Sequence, residues 1–191
     1  MSIDLGSARH WARAYQEEAL YDGAVAVDAT MGNGGDTLAF CQSVGEKGRI
    51  YAFDVQETAL TNTRARLEEA GVCSRARLFL AGHETMGEHV PERVDLVAFN
   101  LGWLPGADKT LTTRAQTTLK ALSAAFLLLK PGGLITVCAY PGHEEGAREL
   151  ATVLAWAKAL PGSVAQTLVK SYLNQPPAAP VLIVLQRSLK I

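Results

Sequence analysis

Residues 25–37 predict a buried strand that runs directly into a glycine-containing turn and then into a helix. The segment begins with three apolar residues, which is typical of a short buried strand. Gly32 and Gly34 follow, and because neither has a Cβ, the backbone there can turn sharply and approach a ligand closely. Asp36 and Thr37 suit the first turn of a helix, where free backbone N–H groups favour negative charge.

A second predicted strand, residues 49–54, ends in Asp54, about twenty residues beyond Gly34. An acidic side chain at that position can accept hydrogen bonds from both hydroxyls of a ribose. The turn and Asp54 together predict a site for a nucleoside-containing cofactor. The residues predicted to contact this cofactor are Asp28, Thr30, Gly32, Asn33, Gly34, Asp36, Thr37, Asp54, Gln56, His83 and Asn100.

Two details of the turn indicate which cofactor it takes. A dinucleotide fingerprint reads G-x-G-x-x-G, and here Thr37 stands where the third glycine belongs. Asp28, at the tip of the first strand, would repel a pyrophosphate but attract the amino and sulfonium groups of S-adenosylmethionine. The pattern therefore favours the methyl donor. An NAD-dependent oxidoreductase is disfavoured, and a non-catalytic nucleoside-binding module is a further alternative.

Composition limits the class of protein. The 191 residues suffice for one domain with a sizeable core, and the formal net charge of −1 gives no overall basic signal for nucleic acid. Three isolated cysteines predict reduced, mostly buried thiols and no metal site. No apolar run reaches transmembrane length, and the N-terminus lacks the pattern of a signal peptide. We therefore expect a cytoplasmic protein without a membrane partner.

Strand and helix signals alternate along the chain after a helix predicted over residues 7–20. Predicted strands cover residues 24–28, 49–54, 76–80, 94–100, 134–139, 164–173 and 181–187, and predicted helices cover 36–44, 57–70, 113–129 and 144–160. Such alternation predicts an α/β, doubly wound, Rossmann-like fold with a mostly parallel sheet. The last two strands leave no room for a helix between them, so they must pair antiparallel. This predicts the seven-stranded class I methyltransferase sheet, with one antiparallel strand near its edge. A single domain is expected over residues 1–191, with residues 1–22 as an N-terminal helical segment.

The fourth predicted strand ends in Asn100, and Trp103 follows shortly after it. An asparagine oxygen and nearby carbonyls can accept the N–H bonds of an attacking amine, and an aromatic face can hold a planar substrate. This predicts an amine acceptor. Asp108 could take the proton of the amine, and Lys109 could bind a phosphate, although a solvated Asp–Lys pair is an equal alternative.

Polar residues follow other strands as well. His83 could contact the adenine, and Tyr140 and Asn174 could contact the substrate, although polar turn residues often do neither. His143 could contact the substrate or cap the next helix. Further phosphate contacts could come from basic residues at the cleft mouth, namely Arg9, His10, Arg13, Arg114, Lys120 and Lys170.

Over nearly its whole length the chain resembles a bacterial family of tRNA 5-aminomethyl-2-thiouridine methyltransferases, long described as rRNA methylases. The matching segments are residues 28–37, 100–109, 140–143 and 174–176. The departures are Trp103, where tyrosine is common, and Ala107, where glycine is common.

The resemblance implies methyl transfer from S-adenosylmethionine to the aminomethyl nitrogen of wobble uridine 34. Its substrates would be the anticodon arms of tRNAs of the Gln, Lys and Glu type, and the enzyme would be a monomer or homodimer. Asn100 and Asp108 would be catalytic, and the modified base would be bound by Trp103, Lys109, Tyr140, His143 and Asn174. Methylation of rRNA or of a small-molecule amine stays open as an alternative, because fold alone does not determine function.

Overall fold

The structure is a computed structural model that describes residues 5–103 and 112–189. The strands are β1 Val25–Asp28, β2 Arg49–Asp54, β3 Ala76–Leu80, β4 Val94–Asn100, β5 Leu129–Ala139, β6 Ala165–Lys170 and β7 Val181–Arg187. The α-helices are α1 Ala8–Ala19, α2 Gly35–Ser43, α3 Glu57–Glu69, α4 Met86–His89, α5 Ala115–Leu128 and α6 Glu144–Ala159. Two short 3₁₀ turns lie at Cys73–Arg75 and His83–Thr85.

The seven strands form one sheet in the order β3-β2-β1-β4-β5-β7-β6. Strands β1 to β5 are parallel, and β7 runs antiparallel to both of its neighbours, β5 and β6. This confirms the predicted fold class, including the antiparallel pairing of the last two strands. The crossover from β3 to β4 places the chain on the other side of β1, so the strand order reverses between β1 and β4. In sheets of this kind, ligands bind at the carboxyl ends of the strands beside that reversal.

Helices cover both faces of the sheet because alternate strand residues point to opposite sides. Val25 and Val27 pack in the cluster that contains buried residues of α4, α5 and α6. Ala24 and Ala26 pack in a second cluster with buried residues of α2 and α3. A third cluster joins α1 to β5 and β7 and consists of Ala8, Trp11, Ala12, Cys138, Leu182 and Val184.

Strand β5 begins at Leu129, before its predicted start at Leu134. Leu129 pairs with Val94, the register then shifts, and regular pairing resumes where Leu134 meets Leu96. The proline and two glycines between these pairs form the irregularity, since such residues in a strand commonly mark a bulge. The predicted helix over residues 113–129 is correspondingly shorter, as is the predicted strand over 164–173.

The segment between β3 and β4 contains helix α4, which was not predicted. With only four residues, this helix is too short to produce a periodic pattern, yet Met86 in its first position is fully buried. Within the described ranges, no helix is long and apolar enough to cross a membrane. In the same ranges, no group of three or more His, Cys, Asp or Glu side chains could hold a metal ion.

Candidate active site

A cleft of about 650 Å³ opens at the carboxyl ends of β1, β2, β4 and β5. Its volume is in the range of small-molecule sites. The predicted site residues that line it are Thr30, Gly32, Asn33, Asp36, Asp54, Gln56, His83, Asn100, Trp103, Tyr140 and His143. The fold therefore brings most of the predicted residues to one place.

The turn after β1 owes its shape to its glycines. Gly32 has φ of 51° and Gly34 has φ of 76°, in the region where residues with a Cβ are strained. A Cβ on Gly34 would also lie 2.8–2.9 Å from atoms of Thr63 on α3. Gly34 therefore faces α3 and not the cleft, and it shapes the turn without lining the ligand site.

Asp54 connects the first two loops of the cleft. One carboxylate oxygen accepts the N–H of Gly32 at 3.0 Å, and the other accepts the N–H of Gln56 at 3.0 Å. Each oxygen keeps a further lone pair. Because Asp54 lines the cleft, those lone pairs suit the two hydroxyls of a ribose.

Asp28 does not line the cleft, contrary to the direct cofactor contact predicted for it. The side chain is fully buried, and its oxygens accept the Thr37 hydroxyl at 2.6 Å and the Thr30 N–H at 3.2 Å. Thr37 is likewise fully buried behind the loop. Asp28 and Thr37 therefore join β1 to α2 and support the turn from behind. Thr37 occupies the third glycine position because its hydroxyl satisfies Asp28.

Burial, together with the nearby Asp36 carboxylate, raises the pKa of Asp28 to about 7, against the opposing effect of the Thr37 hydrogen bond. Burial also lowers the pKa of His83, whose ring packs edge-on against Phe99 with centroids 5.7 Å apart. His83 therefore forms a neutral, buried part of the cleft wall beyond β3.

Asp36, in the first turn of α2, links three elements at the cleft. Its Oδ2 accepts the side-chain N–H of Asn100 at 2.8 Å, and its Oδ1 pairs with Arg9 of α1 at 3.2 Å. A carboxylate only accepts, so Asn100 must turn its amide nitrogen toward Asp36. The amide oxygen of Asn100 is thereby left to accept a hydrogen bond from another group. The backbone N–H of Asn100 donates to the Thr30 hydroxyl at 2.8 Å, which fixes the end of β4.

Residues 100–103, which we call the β4 wall, form the side of the cleft opposite Asp54 together with His143. The rings of Trp103 and His143 lie 4.6 Å apart at 50°. His143 caps α6, because its Nδ1 accepts the Gly146 N–H at 3.1 Å. In the neutral ring the proton is therefore on Nε2. Within the described ranges, the buried side-chain atoms without a hydrogen-bond partner are His143 Nε2 and Thr112 Oγ1, and both residues line this end of the cleft.

The other predicted residues lie partly inside and partly outside the cleft. Tyr140 lines the cleft, and burial raises its pKa to about 12, so its hydroxyl stays protonated. Asn174 is exposed on the turn between β6 and β7 and does not line the cleft, so its substrate contact stays a prediction. Asp108 and Lys109 lie outside the described residues. Among the basic candidates, Arg9 and Arg114 line the cleft.

Glu149 and Thr113 were missed by the sequence reasoning. Glu149 shares a face of α6 with the buried residues Gly146, Val153 and Ala157. A carboxylate on a face that is otherwise small and apolar is the signal that could have identified it.

The sheet order, the glycine turn after β1 and the acidic end of β2 together define the class I S-adenosylmethionine-dependent methyltransferase fold. The family model described as "Putative rRNA methylase" matches residues 50–186, and the chain belongs to this family.

Known proteins of similar sequence include the chloroplastic tRNA (mnm(5)s(2)U34)-methyltransferase of Arabidopsis thaliana, which is 45% identical over 178 residues. That match covers 87% of this chain but only 64% of the relative's length. A C-methyltransferase of ubiquinone and menaquinone biosynthesis from Hydrogenovibrio crunogenus is 28% identical over 71% of this chain and 50% of its own length.

Two crystal structures are similar throughout. The putative rRNA-methylase from Clostridium thermocellum is 34% identical with a TM-score of 0.94, and the match covers 97% of this chain and 100% of that one. SMU.1697c, a putative methyltransferase from Streptococcus mutans in complex with SAH, is 31% identical with a TM-score of 0.88, over 96% and 99% of the two chains.

Substitution Asp54→Ala should weaken the binding of S-adenosylmethionine by about 10- to 100-fold, because hydrogen bonds to a charged group contribute about 1.5–3 kcal/mol. Isothermal titration calorimetry would measure this. Glu57→Ala removes a nearby exposed carboxylate outside the cleft and serves as the control. Equal affinity of Asp54→Ala and the wild type would contradict the ribose contact.

Substitution Asp28→Asn should change how stability depends on pH. The folded-state pKa of about 7 lies above the ordinary value of 3.8, so ionising Asp28 costs folding free energy that grows between about pH 4 and pH 7. Asparagine does not ionise, so the variant should gain stability relative to the wild type between pH 5 and pH 8. One pKa unit corresponds to about 1.4 kcal/mol, so the gain should exceed about 1 kcal/mol. Urea unfolding at both pH values would test this, and a difference independent of pH would refute it.

Proposed function

We propose that this protein transfers the methyl group of S-adenosylmethionine to the aminomethyl nitrogen of 5-aminomethyl-2-thiouridine at position 34 of tRNA. The product is 5-methylaminomethyl-2-thiouridine, and the substrates are tRNAs of the Gln, Lys and Glu type. The observation that carries the proposal is the orientation of Asn100, whose amide oxygen has no hydrogen-bond partner among the described residues and lies in the same cleft as Trp103 and His143. The 45% identity to a tRNA (mnm(5)s(2)U34)-methyltransferase supports the choice of substrate.

The described residues fit S-adenosylmethionine better than a dinucleotide. Asp54 offers free lone pairs for a ribose, and Gly32 lets the backbone approach a ligand closely. The N-terminus of α2 would be the place for a pyrophosphate, but Asp36 lies there with its carboxylate in the cleft. Negative charge at that point repels phosphate and attracts an ammonium or sulfonium group.

Methyl transfer demands mainly that the acceptor be positioned. Bound S-adenosylmethionine supplies an electrophilic methyl group on a positively charged sulfur. Asn100 Oδ1 accepts one N–H of the substrate amine, and this aims the nitrogen lone pair into the cleft. Trp103 and His143 offer ring surfaces to the uracil ring.

The acceptor amine is mostly protonated in solution, so one proton must leave the nitrogen before it attacks. The carboxylate of Asp36 is hydrogen-bonded to Asn100 and favours a positively charged amine at this end of the cleft. We propose Asp108 as the group that takes the proton. Within the described ranges, Tyr140 and His83 are poor candidates, because burial raises the pKa of the phenol and lowers that of the imidazole.

A small-molecule amine is the second candidate substrate. The formal net charge of −1 favours a ligand that needs no large basic surface. The two cases differ in salt dependence, since binding of RNA through phosphates weakens steeply as salt rises and binding of a small amine does not.

The direct test is to incubate the protein with S-adenosylmethionine and tRNA that carries 5-aminomethyl-2-thiouridine, then to analyse the nucleosides by mass spectrometry. We expect one added methyl group on that nucleoside and none on tRNA with unmodified uridine 34. If the protein binds S-adenosylmethionine but adds no methyl group, the proposed substrate is wrong and rRNA is the next to test.

Substitution Asn100→Ala should leave S-adenosylmethionine affinity within about threefold but lower kcat by about 100-fold or more, because misplacing an acceptor costs about that much. Calorimetry and single-turnover methylation would separate the two effects. Wild-type turnover in this variant would show that Asn100 does not position the amine.

A further inference from the structure

Glu149 of α6 is a buried carboxylate for which the proposed reaction has no use. Its side chain is 1% exposed, and it does not line the cleft. One oxygen accepts the hydroxyl of Thr118 at 2.5 Å, and the other accepts the hydroxyl of Thr113 at 2.8 Å. A buried carboxylate destabilises a fold unless it is well hydrogen-bonded. Its presence at this position therefore points to a role beyond packing.

Thr113 connects Glu149 to the β4 wall. Because its hydroxyl donates to Glu149, the oxygen is free to accept the Gly102 N–H, at 2.7 Å. The carbonyl of Gly102 accepts the backbone N–H of Thr113 at 2.9 Å. Gly102 therefore exchanges two hydrogen bonds with one residue. Its φ of 124° lies in the region that favours glycine, so the backbone is held in a conformation that few other residues could adopt.

Neighbouring contacts strengthen the same connection. Trp103 forms an isolated antiparallel bridge with Thr112. On α6, Glu145 accepts the N–H of Ala115 at 2.9 Å and so holds the start of α5. The residues before and after 104–111 are thus paired with each other and attached to α6 through two carboxylates.

We propose that Glu149 is a positioning residue, which acts through Thr113 and Gly102 to hold the β4 wall where the acceptor amine is received. The inference rests on the proposed function only for the identity of the acceptor that the β4 wall receives. The hydrogen bonds from Glu149 through Thr113 to Gly102 are present whatever the acceptor is. Both oxygens of Glu149 accept hydrogen bonds from threonine hydroxyls, an arrangement that suits a carboxylate. Burial raises the pKa of Glu149 above its ordinary value, and the hydrogen bonds from Thr118 and Thr113 oppose that rise.

The cofactor half of the cleft should be independent of this connection. Asp54 accepts hydrogen bonds from Gly32 and Gln56, and within the described ranges none of these three residues hydrogen-bonds to α6. Disturbing Thr113 should therefore change turnover and leave cofactor affinity as it was. A residue needed only for folding would lower both together.

The test compares Thr113→Val, which removes the hydroxyl at nearly constant shape, with Thr113→Ser, which keeps it. Thr152→Val is the matched control, because among the described residues the Thr152 hydroxyl bonds only the Arg148 carbonyl of its own helix. We expect Thr113→Val to lower kcat at least tenfold, to keep S-adenosylmethionine affinity within threefold, and to speed amide exchange at Gly102 at least tenfold by NMR. Thr113→Ser should restore all wild-type values, and Thr152→Val should match the wild type.

Substitution Glu149→Gln should also lower kcat and speed amide exchange at Gly102 while keeping S-adenosylmethionine affinity. Glu144→Gln, at an exposed position of α6, should change none of these values. Unchanged Gly102 exchange in Thr113→Val, or a parallel loss of cofactor affinity and turnover, would overturn the inference. Gly102 exchange is measured on the protein without RNA. If the wild-type protein does not methylate tRNA that carries 5-aminomethyl-2-thiouridine, the proposed function is refuted. Faster amide exchange at Gly102 in Thr113→Val would still support the link from Glu149 to the β4 wall.

Discussion

The cleft depends on one buried interaction, the hydrogen bond between the Asp28 carboxylate and the Thr37 hydroxyl. It joins the end of β1 to α2 across the glycine turn and so determines where the turn can lie. The same carboxylate holds the N–H of Thr30, and the Thr30 hydroxyl in turn accepts the N–H of Asn100. A fully buried residue that does not line the cleft therefore sets the distance between the loop after β1 and the end of β4.

The local patterns were sufficient to predict the sheet, the position of the cleft and most of its lining. Alternating strand and helix signals are short-range properties, and Asp54 follows its strand directly. The sequence could not show whether Asp28 faces a ligand or a helix, because both outcomes place a carboxylate at the end of the same strand. The position of Asn174 outside the cleft could not be predicted for a related reason, since the path of a turn depends on contacts outside it. The partners of Glu149 come from α5 and the segment before it, and such long-range pairing leaves no local pattern.

The two halves of the cleft are built differently. The cofactor half consists of backbone turns held by Asp54 and Asp28, so its shape depends little on exposed side chains. The other half, which receives the acceptor in the proposed reaction, depends on Trp103 and His143 and on hydrogen bonds that connect it to α6. Because the two halves are held separately, the same fold can bind one methyl donor while the acceptor site varies. This agrees with the range of methyltransferases that share the fold.

The order of the strands has a consequence for how the chain assembles during synthesis. Strand β1 lies in the middle of the sheet, and β2 and β3 are added on one side of it before β4 is added on the other. Helix α1 precedes β1 in the chain, yet its apolar face packs on β5 and β7, and β7 follows the other six strands of the sheet. Trp11 and its neighbours are therefore covered only after β7 has been synthesised. Pairings between such distant segments are slow to form, and an exposed apolar helix in the interval is a natural target for chaperones.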